Sequence, residues 1–251
     1  MMNKNRKRIL IPVIGVSLFV LVVCIRMLWD GNAEDKKKGI EYLKRLEAKD
    51  VEAIERDVKE IREEARVKAM EEGELPVWAQ FNDYVIFGDS RTVGFSFHEF
   101  LDGQRIMADG GLTIEDIPTY LDKMKTLNPA HLFLCTGLND VSIGFWPAPE
   151  EYVAAYDETV TMLMKELPDT HIYINSIFPA QDPAFEQSSL WRNIPDYNQA
   201  VMNWCKEKGY TYIDNTEVFE AHKDLYDEDG IHFQKEFYEY WAINMLAEVE
   251  M

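Results

Sequence analysis

From Tyr84 onward the chain alternates short apolar runs with longer stretches in which apolar residues recur every three or four positions. The first pattern predicts buried strands and the second amphipathic helices. Strands are expected at residues 84–87, 105–108, 132–135, 172–175 and 211–213. Helices are expected from Ser90 to about Leu101, over 114–126, over 149–166, up to Lys208 after an irregular stretch at 178–195, and over 235–249. A run such as Tyr84-Val85-Ile86-Phe87 has no polar face, so it reads as a strand covered on both sides. Repeated strand–helix units then mean a parallel sheet with helices on both faces.

The first 75 residues follow a different pattern. Lys4, Arg6, Lys7 and Arg8 precede an unbroken apolar run from Ile9 to Ile25, and only Arg26 separates it from Met27-Leu28-Trp29. As a helix this run is about 26 Å long to Ile25 and about 31 Å to Trp29, enough to cross a bilayer, with Arg26 reaching for the interface. The basic flank stays on the cytoplasmic side, so everything after Trp29 is expected outside. The small residues Gly31-Asn32-Ala33 offer a competing reading, a signal peptide cleaved after Ala33. Residues 34–73 are rich in Glu, Lys and Arg, with Ile40, Leu43 and Leu46 and then Val51, Ile54, Val58 and Ile61 at helical spacing. The phase breaks between Leu46 and Val51, which predicts two helices, and Gly73 and Pro76 close the segment. The expected domains are therefore residues 1–33, a transmembrane signal-anchor with its basic flank; 34–75, a charged helical spacer; and 76–251, the catalytic domain.

Charge sharpens this division. Outside residues 1–33 the chain carries 21 Lys and Arg against 44 Asp and Glu, a net of −23. Such a surface repels nucleic acid and other polyanions. Cys24, Cys135 and Cys205 each fall in an apolar run or a helix and read as small buried hydrophobes, so no disulfide framework is expected.

Each conspicuous polar motif follows a predicted strand: Gly88-Asp89-Ser90 the first, Gly110-Gly111 the second, Gly137-Leu138-Asn139-Asp140 the third, and Asp229-Gly230-Ile231-His232 the last. In a doubly wound sheet these positions converge on the carboxyl edge, where ligands bind. Acyl transfer needs such a set: a hydroxyl nucleophile, an imidazole to take its proton, a carboxylate to hold that imidazole, and donors aimed at the oxyanion. Asp229 and His232 are three apart on a Gly-containing turn, so the carboxylate can reach one ring nitrogen while the other faces Ser90. Glycine lets a backbone N–H approach an oxyanion closely, and Asn139 can add an amide donor.

These four blocks, in this order over most of residues 84–250, resemble the SGNH (GDSL-type) hydrolase family. The resemblance implies a flavodoxin-like three-layer α/β/α sandwich around a central parallel sheet, and chemistry without metal or other cofactor. It implies Ser90 as nucleophile, His232 as general base and Asp229 as its orienting partner. Ser90 N–H, Gly111 N–H and the Asn139 side chain would form the oxyanion hole; Gly111 is preferred to Gly110 because Thr113 matches the family's usual small polar continuation. Arg91 stands where the family has the leucine of its name, which sets it beside the nucleophile as a substrate contact and argues against a lipid-type substrate. Phe145 and Trp146, just after the Asn139 turn, are further candidates for the substrate wall, with Trp191 in the irregular stretch. His98, His131, His171 and His222 match no partner and read as ordinary surface or strand-end residues.

The expected protein is an extracytoplasmic serine esterase with a Ser-His-Asp triad, tethered to the membrane through residues 9–29. Its expected substrate is a short acyl ester, chiefly O-acetyl, on envelope or extracellular carbohydrate. An O-acetyltransferase on the same glycans, a lipid or lysophospholipid esterase, and a silent envelope-binding module on the same scaffold remain the alternatives.

Overall fold

A computed structural model of the protein describes residues 36–42, 44 and 51–249. The apolar run at 9–29 and the small residues before Glu34 lie outside these residues; among the described residues no helix is long and apolar enough to cross a membrane. The chain forms two compact units, Met1–Ile61 and Arg62–Met251. In the first, residues 36–42 and 44 are helical, with Ile40 and Tyr42 exposed. The second begins before the expected boundary at residue 76. Arg66 donates to the Leu246 carbonyl at 2.6 Å and to the Val249 carbonyl at 3.0 Å, and Met70 is buried in a cluster with Val77 and Leu246.

Eight helices are assigned over residues 51–249: α1 (Val51–Glu71), α2 (Gly94–Phe97), α3 (Ile117–Leu127), α4 (Leu138–Ile143), α5 (Pro149–Glu166), α6 (Ile194–Lys208), α7 (Thr216–Ala221) and α8 (Phe237–Ala247). Five strands, β1 (Tyr84–Gly88), β2 (Ile106–Ala108), β3 (His131–Cys135), β4 (His171–Asn175) and β5 (Thr211–Ile213), form one parallel sheet in the order β2-β1-β3-β4-β5. The two-residue period of the strands splits the core into two layers. Val85, Phe87, Leu132, Leu134, Ile172 and Ile174 face Met124 of α3, Tyr152, Tyr156 and Val160 of α5, and Val201 and Trp204 of α6. Tyr84, Ile86, Phe133, Cys135 and Tyr173 face Met70 of α1, Phe95 of α2, and Phe237, Trp241 and Met245 of α8. The expected parallel α/β architecture is thus present, and apolar strands without a polar face are explained by helices on both sides.

Departures from the expected elements have local causes. The helix after Ser90 shortens to α2, because Glu99 adopts a left-handed φ of 59° that turns the chain back. The stretch expected as a helix over 114–126 opens as a 3-10 turn, Ile114–Asp116, before α3 starts at Ile117. Pro118 has no N–H to give, so it fits the first helical turn and not an interior position. Pro195 sets the start of α6 in the same way. Helices α4 and α7, six residues each, are too short to show a period in the sequence.

Candidate active site

The chain leaves β1 for β2 on one side and returns to β3 on the other, so the carboxyl ends of β1 and β3 flank the point where the winding reverses. A crevice opens at such a point in open α/β sheets. Ser90 follows β1 and Asn139 follows β3. The β1 exit is tight: a Cβ on Gly88 would lie 2.0 Å from Thr92 Oγ1 and 2.7 Å from the Cys135 carbonyl oxygen, so only glycine lets the chain turn directly into Ser90. Asp89, 2% exposed, fixes that turn by accepting the Arg91 N–H at 3.0 Å, and its carboxylate also accepts the Leu138 N–H at the start of α4. Burial raises the Asp89 pKa, while the nearby Arg91 charge opposes the rise.

Ser90 Oγ lies 2.9 Å from His232 Nε2, and His232 Nδ1 lies 2.6 Å from Asp229 Oδ2. The other Asp229 oxygen accepts the Ile231 and His232 N–H groups at 2.8 and 2.9 Å. Partial burial works to raise the Asp229 pKa, but the side-chain bond to His232 and these two backbone donors outweigh it, and the net shift is downward. An ionised carboxylate therefore faces Nδ1, which places the ring proton on that nitrogen and leaves Nε2 as an acceptor for the serine hydroxyl. The residues placed together by sequence reasoning, Ser90, Asp229 and His232, meet in a chain of hydrogen bonds.

The other side of the site is built by α4 and the loop after β2. Asn139 Nδ2 donates one hydrogen to the Leu112 carbonyl at 2.9 Å, which leaves its second N–H for a ligand. Asp140 accepts the Ile114 N–H at 2.9 Å, so two adjacent residues of α4 clip the loop that carries Gly111. Gly111 has φ of 85°, a conformation glycine adopts without strain. The Gly110 N–H is already bound to Asp109 Oδ1 at 2.7 Å, which leaves Gly111 as the glycine of the pair with a donor for an incoming oxyanion.

Asp140, which the sequence shows only as a member of the motif after the third strand, is fully buried and its Oδ2 has no hydrogen-bond partner. Burial, helped by the charge of Asp89, raises its pKa to about 7 against the pull of the Ile114 N–H. The folded protein then keeps this proton up to about pH 7, whereas the unfolded chain releases it near 4, so stability falls as pH rises across that window, by at most on the order of 4 kcal/mol. Asp140→Asn keeps an acceptor for Ile114 and cannot ionise. The variant is expected to unfold at a midpoint that falls less steeply with pH over this range than that of the unmutated protein, and to exceed it at pH 8. Thermal unfolding at pH 5 and pH 8 checks this; an unchanged slope would assign the titration elsewhere.

Three expected substrate contacts are placed differently. Arg91 does not line the crevice: it is 3% exposed, with its guanidinium bonded to backbone carbonyls in the interior. The argument against a lipid substrate that rested on its charge falls with it. Trp146 is half-buried and packs on Tyr152, with ring centroids 5.5 Å apart, while its carbonyl accepts the Tyr197 hydroxyl, so it belongs largely to the core. Trp191 is buried too, and its indole donates to the Leu138 carbonyl at 2.7 Å, bracing α4. Phe145 alone of the candidates is open to solvent, at 65%. It adjoins two exposed apolar residues that sequence reasoning passed over: Ile143, one helical turn after Asn139, and Leu190, whose side chain lies against Gly144. His131 and His171 pair with Tyr173 and Thr211 at the opposite edge of the sheet. Among the described residues no group of three or more His, Cys, Asp or Glu side chains is arranged to hold a metal ion.

A parallel sheet that brings a serine, a histidine and a carboxylate into one hydrogen-bonded chain at its carboxyl edge has the arrangement of a serine hydrolase. The chain belongs to the GDSL-like lipase/acylhydrolase family, whose model matches residues 86–240. No curated protein sequence matches the chain. Solved structures of similar fold include an acetylxylan esterase from Geobacillus stearothermophilus, 19% identical over 67% of this chain and 94% of that one, with a TM-score of 0.50. An acetyl xylan esterase named AlAXEase is 20% identical over 66% of this chain and 99% of that one, also with a TM-score of 0.50. A carbohydrate esterase family 3 protein from Talaromyces cellulolyticus is 14% identical over 64% and 93% of the two chains, with a TM-score of 0.50.

Proposed function

We propose that this esterase removes short acyl groups, chiefly O-acetyl, from carbohydrate outside the cytoplasm, with residues 1–33 as a membrane anchor, a charged helical spacer after it and the hydrolase domain from Arg62 onward. The observation that carries the catalytic part is the continuous hydrogen-bond chain Ser90–His232–Asp229. His232 Nε2 takes the Ser90 proton as Oγ bonds to the ester carbonyl carbon. The carbonyl π electrons move onto oxygen, and the N–H groups of Ser90, Gly111 and Asn139 hold the resulting oxyanion. Collapse of this intermediate breaks the bond to the sugar oxygen, which leaves with the proton from His232. Water, deprotonated by the same nitrogen, then releases the acid and restores Ser90. Asp229 keeps the imidazole in its working tautomer and stabilises the imidazolium.

The carbohydrate part rests on Phe145, exposed beside Ile143 and Leu190 close to Asn139, because a flat aromatic face suits the C–H face of a sugar ring. Likeness of fold to acetylxylan esterases points the same way. A sugar hydroxyl in place of water would give an O-acetyltransferase by the same steps. The anchor rests on the apolar run at 9–29 and its basic flank. One experiment tests acyl preference and location together: cells expressing the full chain are fractionated with a carbonate wash, and each fraction is assayed with p-nitrophenyl acetate, p-nitrophenyl palmitate and acetylated xylan. Activity is expected in the washed membranes, on acetate at least about tenfold over palmitate, with acetate released from the glycan. Preference for palmitate with untouched glycan would replace this reading by a lipid esterase, and a soluble active species beginning near Glu34 would replace the anchor by a cleaved signal peptide.

A further inference from the structure

Arg91 is the residue at which this chain departs from the leucine of its family's signature, and its surroundings give that departure a use. The acid–base turn that carries Asp229 and His232 belongs to no helix or strand, so bonds from distant segments set where His232 stands relative to Ser90. Asp227 N–H closes the turn on itself by donating to the His232 carbonyl at 2.9 Å, and Gln181 N–H donates from outside to the Gly230 carbonyl at 2.8 Å. A second outside bond comes from the nucleophile's own turn. Arg91 Nε donates to the Ile231 carbonyl at 2.9 Å, across 140 positions of sequence, while Nη1 donates to the Phe178 carbonyl at 2.6 Å. The guanidinium carbon also lies 5.2 Å from the centre of the Phe233 ring. Arg91 therefore touches the residues on both sides of His232: the carbonyl of the one before and the ring of the one after.

The arginine is itself held at both ends of its backbone. Its N–H donates to Asp89 Oδ1 at 3.0 Å, and its carbonyl accepts the Tyr238 hydroxyl at 2.8 Å. Its charge is buried to 3% exposure. Burying a guanidinium costs free energy, which the bonds from Nε and Nη1 offset in part while Nη2 has no hydrogen-bond partner, and leucine could offer neither bond to the carbonyls. The planar fork of Arg binds two acceptors in a fixed relation, which a flexible point charge such as Lys reproduces only in part.

We infer that Arg91 is a positioning residue of the acyl-transfer site: its guanidinium bolts the acid–base turn to the nucleophile turn and so sets the spacing of His232 Nε2 from Ser90 Oγ. This rests on the reading of Ser90 and His232 as nucleophile and base. The group touches no substrate, so its loss acts on the proton transfer and not on binding.

The test uses the full chain with Arg91→Leu, the family's residue, and Arg91→Lys, with Ser90→Ala as control. Steady-state constants are measured on p-nitrophenyl acetate, normalised to correctly folded protein by near-UV circular dichroism, and the rate of labelling by a fluorophosphonate is measured alongside. Misplacing reacting groups by about 1 Å typically costs on the order of 10²-fold. Arg91→Leu is expected to lower kcat and the labelling rate together by about that factor, with KM within about threefold of the original. Arg91→Lys, which keeps the charge and one bond to a carbonyl, is expected to recover about tenfold of the loss. If Arg91→Leu does not fold, the lysine variant carries the test alone: a kcat about tenfold below the original at unchanged KM supports the inference. Folded variants with unchanged kcat and labelling rate, against an inactive Ser90→Ala, would reduce Arg91 to a structural filler. An active Ser90→Ala would instead overturn the assignment on which the inference rests.

Discussion

Ser90→Ala and His232→Ala are each expected to lower turnover by about 10⁴- to 10⁶-fold while leaving the fold intact, because nucleophile and base act as one unit. Ser90 is half-buried, not in the core, and removal of its hydroxyl takes one partner from the partly exposed imidazole of His232. The double variant should be little worse than either single one, since the second substitution removes a group that has nothing left to do. Asp229→Asn should retain roughly 10- to 100-fold more activity than Ser90→Ala, because it disturbs the tautomer and the imidazolium but spares the nucleophile. Turnover of a p-nitrophenyl ester, with far-UV circular dichroism as the folding control, checks all four. Ser90→Ala activity near that of the unmutated protein would remove the triad.

Asn139→Ala is expected to lower kcat by about 10²- to 10³-fold with KM nearly unchanged, since the amide acts on charge that exists only in the transition state. The structure adds a second consequence. The same amide holds the Leu112 carbonyl at 2.9 Å, next to Gly111, so the alanine variant also loosens the loop that brings the backbone donor. A stability loss of about 1 kcal/mol should accompany the kinetic one, the usual scale for one lost hydrogen bond. The Asp140 bond to the Ile114 N–H remains and keeps the loop in place. An effect confined to KM would make Asn139 a substrate contact instead of an oxyanion donor.

Much of this molecule was legible along the chain. Five apolar runs predicted five strands, and the structure holds five in one parallel sheet. For the central strands that works because a strand buried on both faces has almost no polar position, a signal that survives without neighbours; β5, at the edge, is only partly buried and carries Thr211. The motifs after the strands could be brought to one edge on paper because a parallel sheet sends every strand end the same way. The start of α3 was less legible, since Pro118 sets it more strongly than apolar spacing did.

What the sequence by itself determined is the order of elements, the edge on which the chemistry gathers and the residue types gathered there. The tertiary structure alone decided which neighbours each polar group met. Arg91 read as a surface charge beside a substrate because arginine is usually exposed; it is buried because the Ile231 and Phe178 carbonyls, more than 80 residues away, come within reach of its fork. Asp140 has no role of its own in the sequence because its acceptor function depends on the Ile114 N–H, 26 positions earlier. Trp146 and Trp191 read as site walls because an aromatic in a loop has no period to betray its burial, and it was packing against Tyr152 and bonding to the Leu138 carbonyl that drew them inward. Periodicity reports which face of an element meets the core; the partner that waits there is set by contacts between segments distant in sequence, which no local pattern encodes.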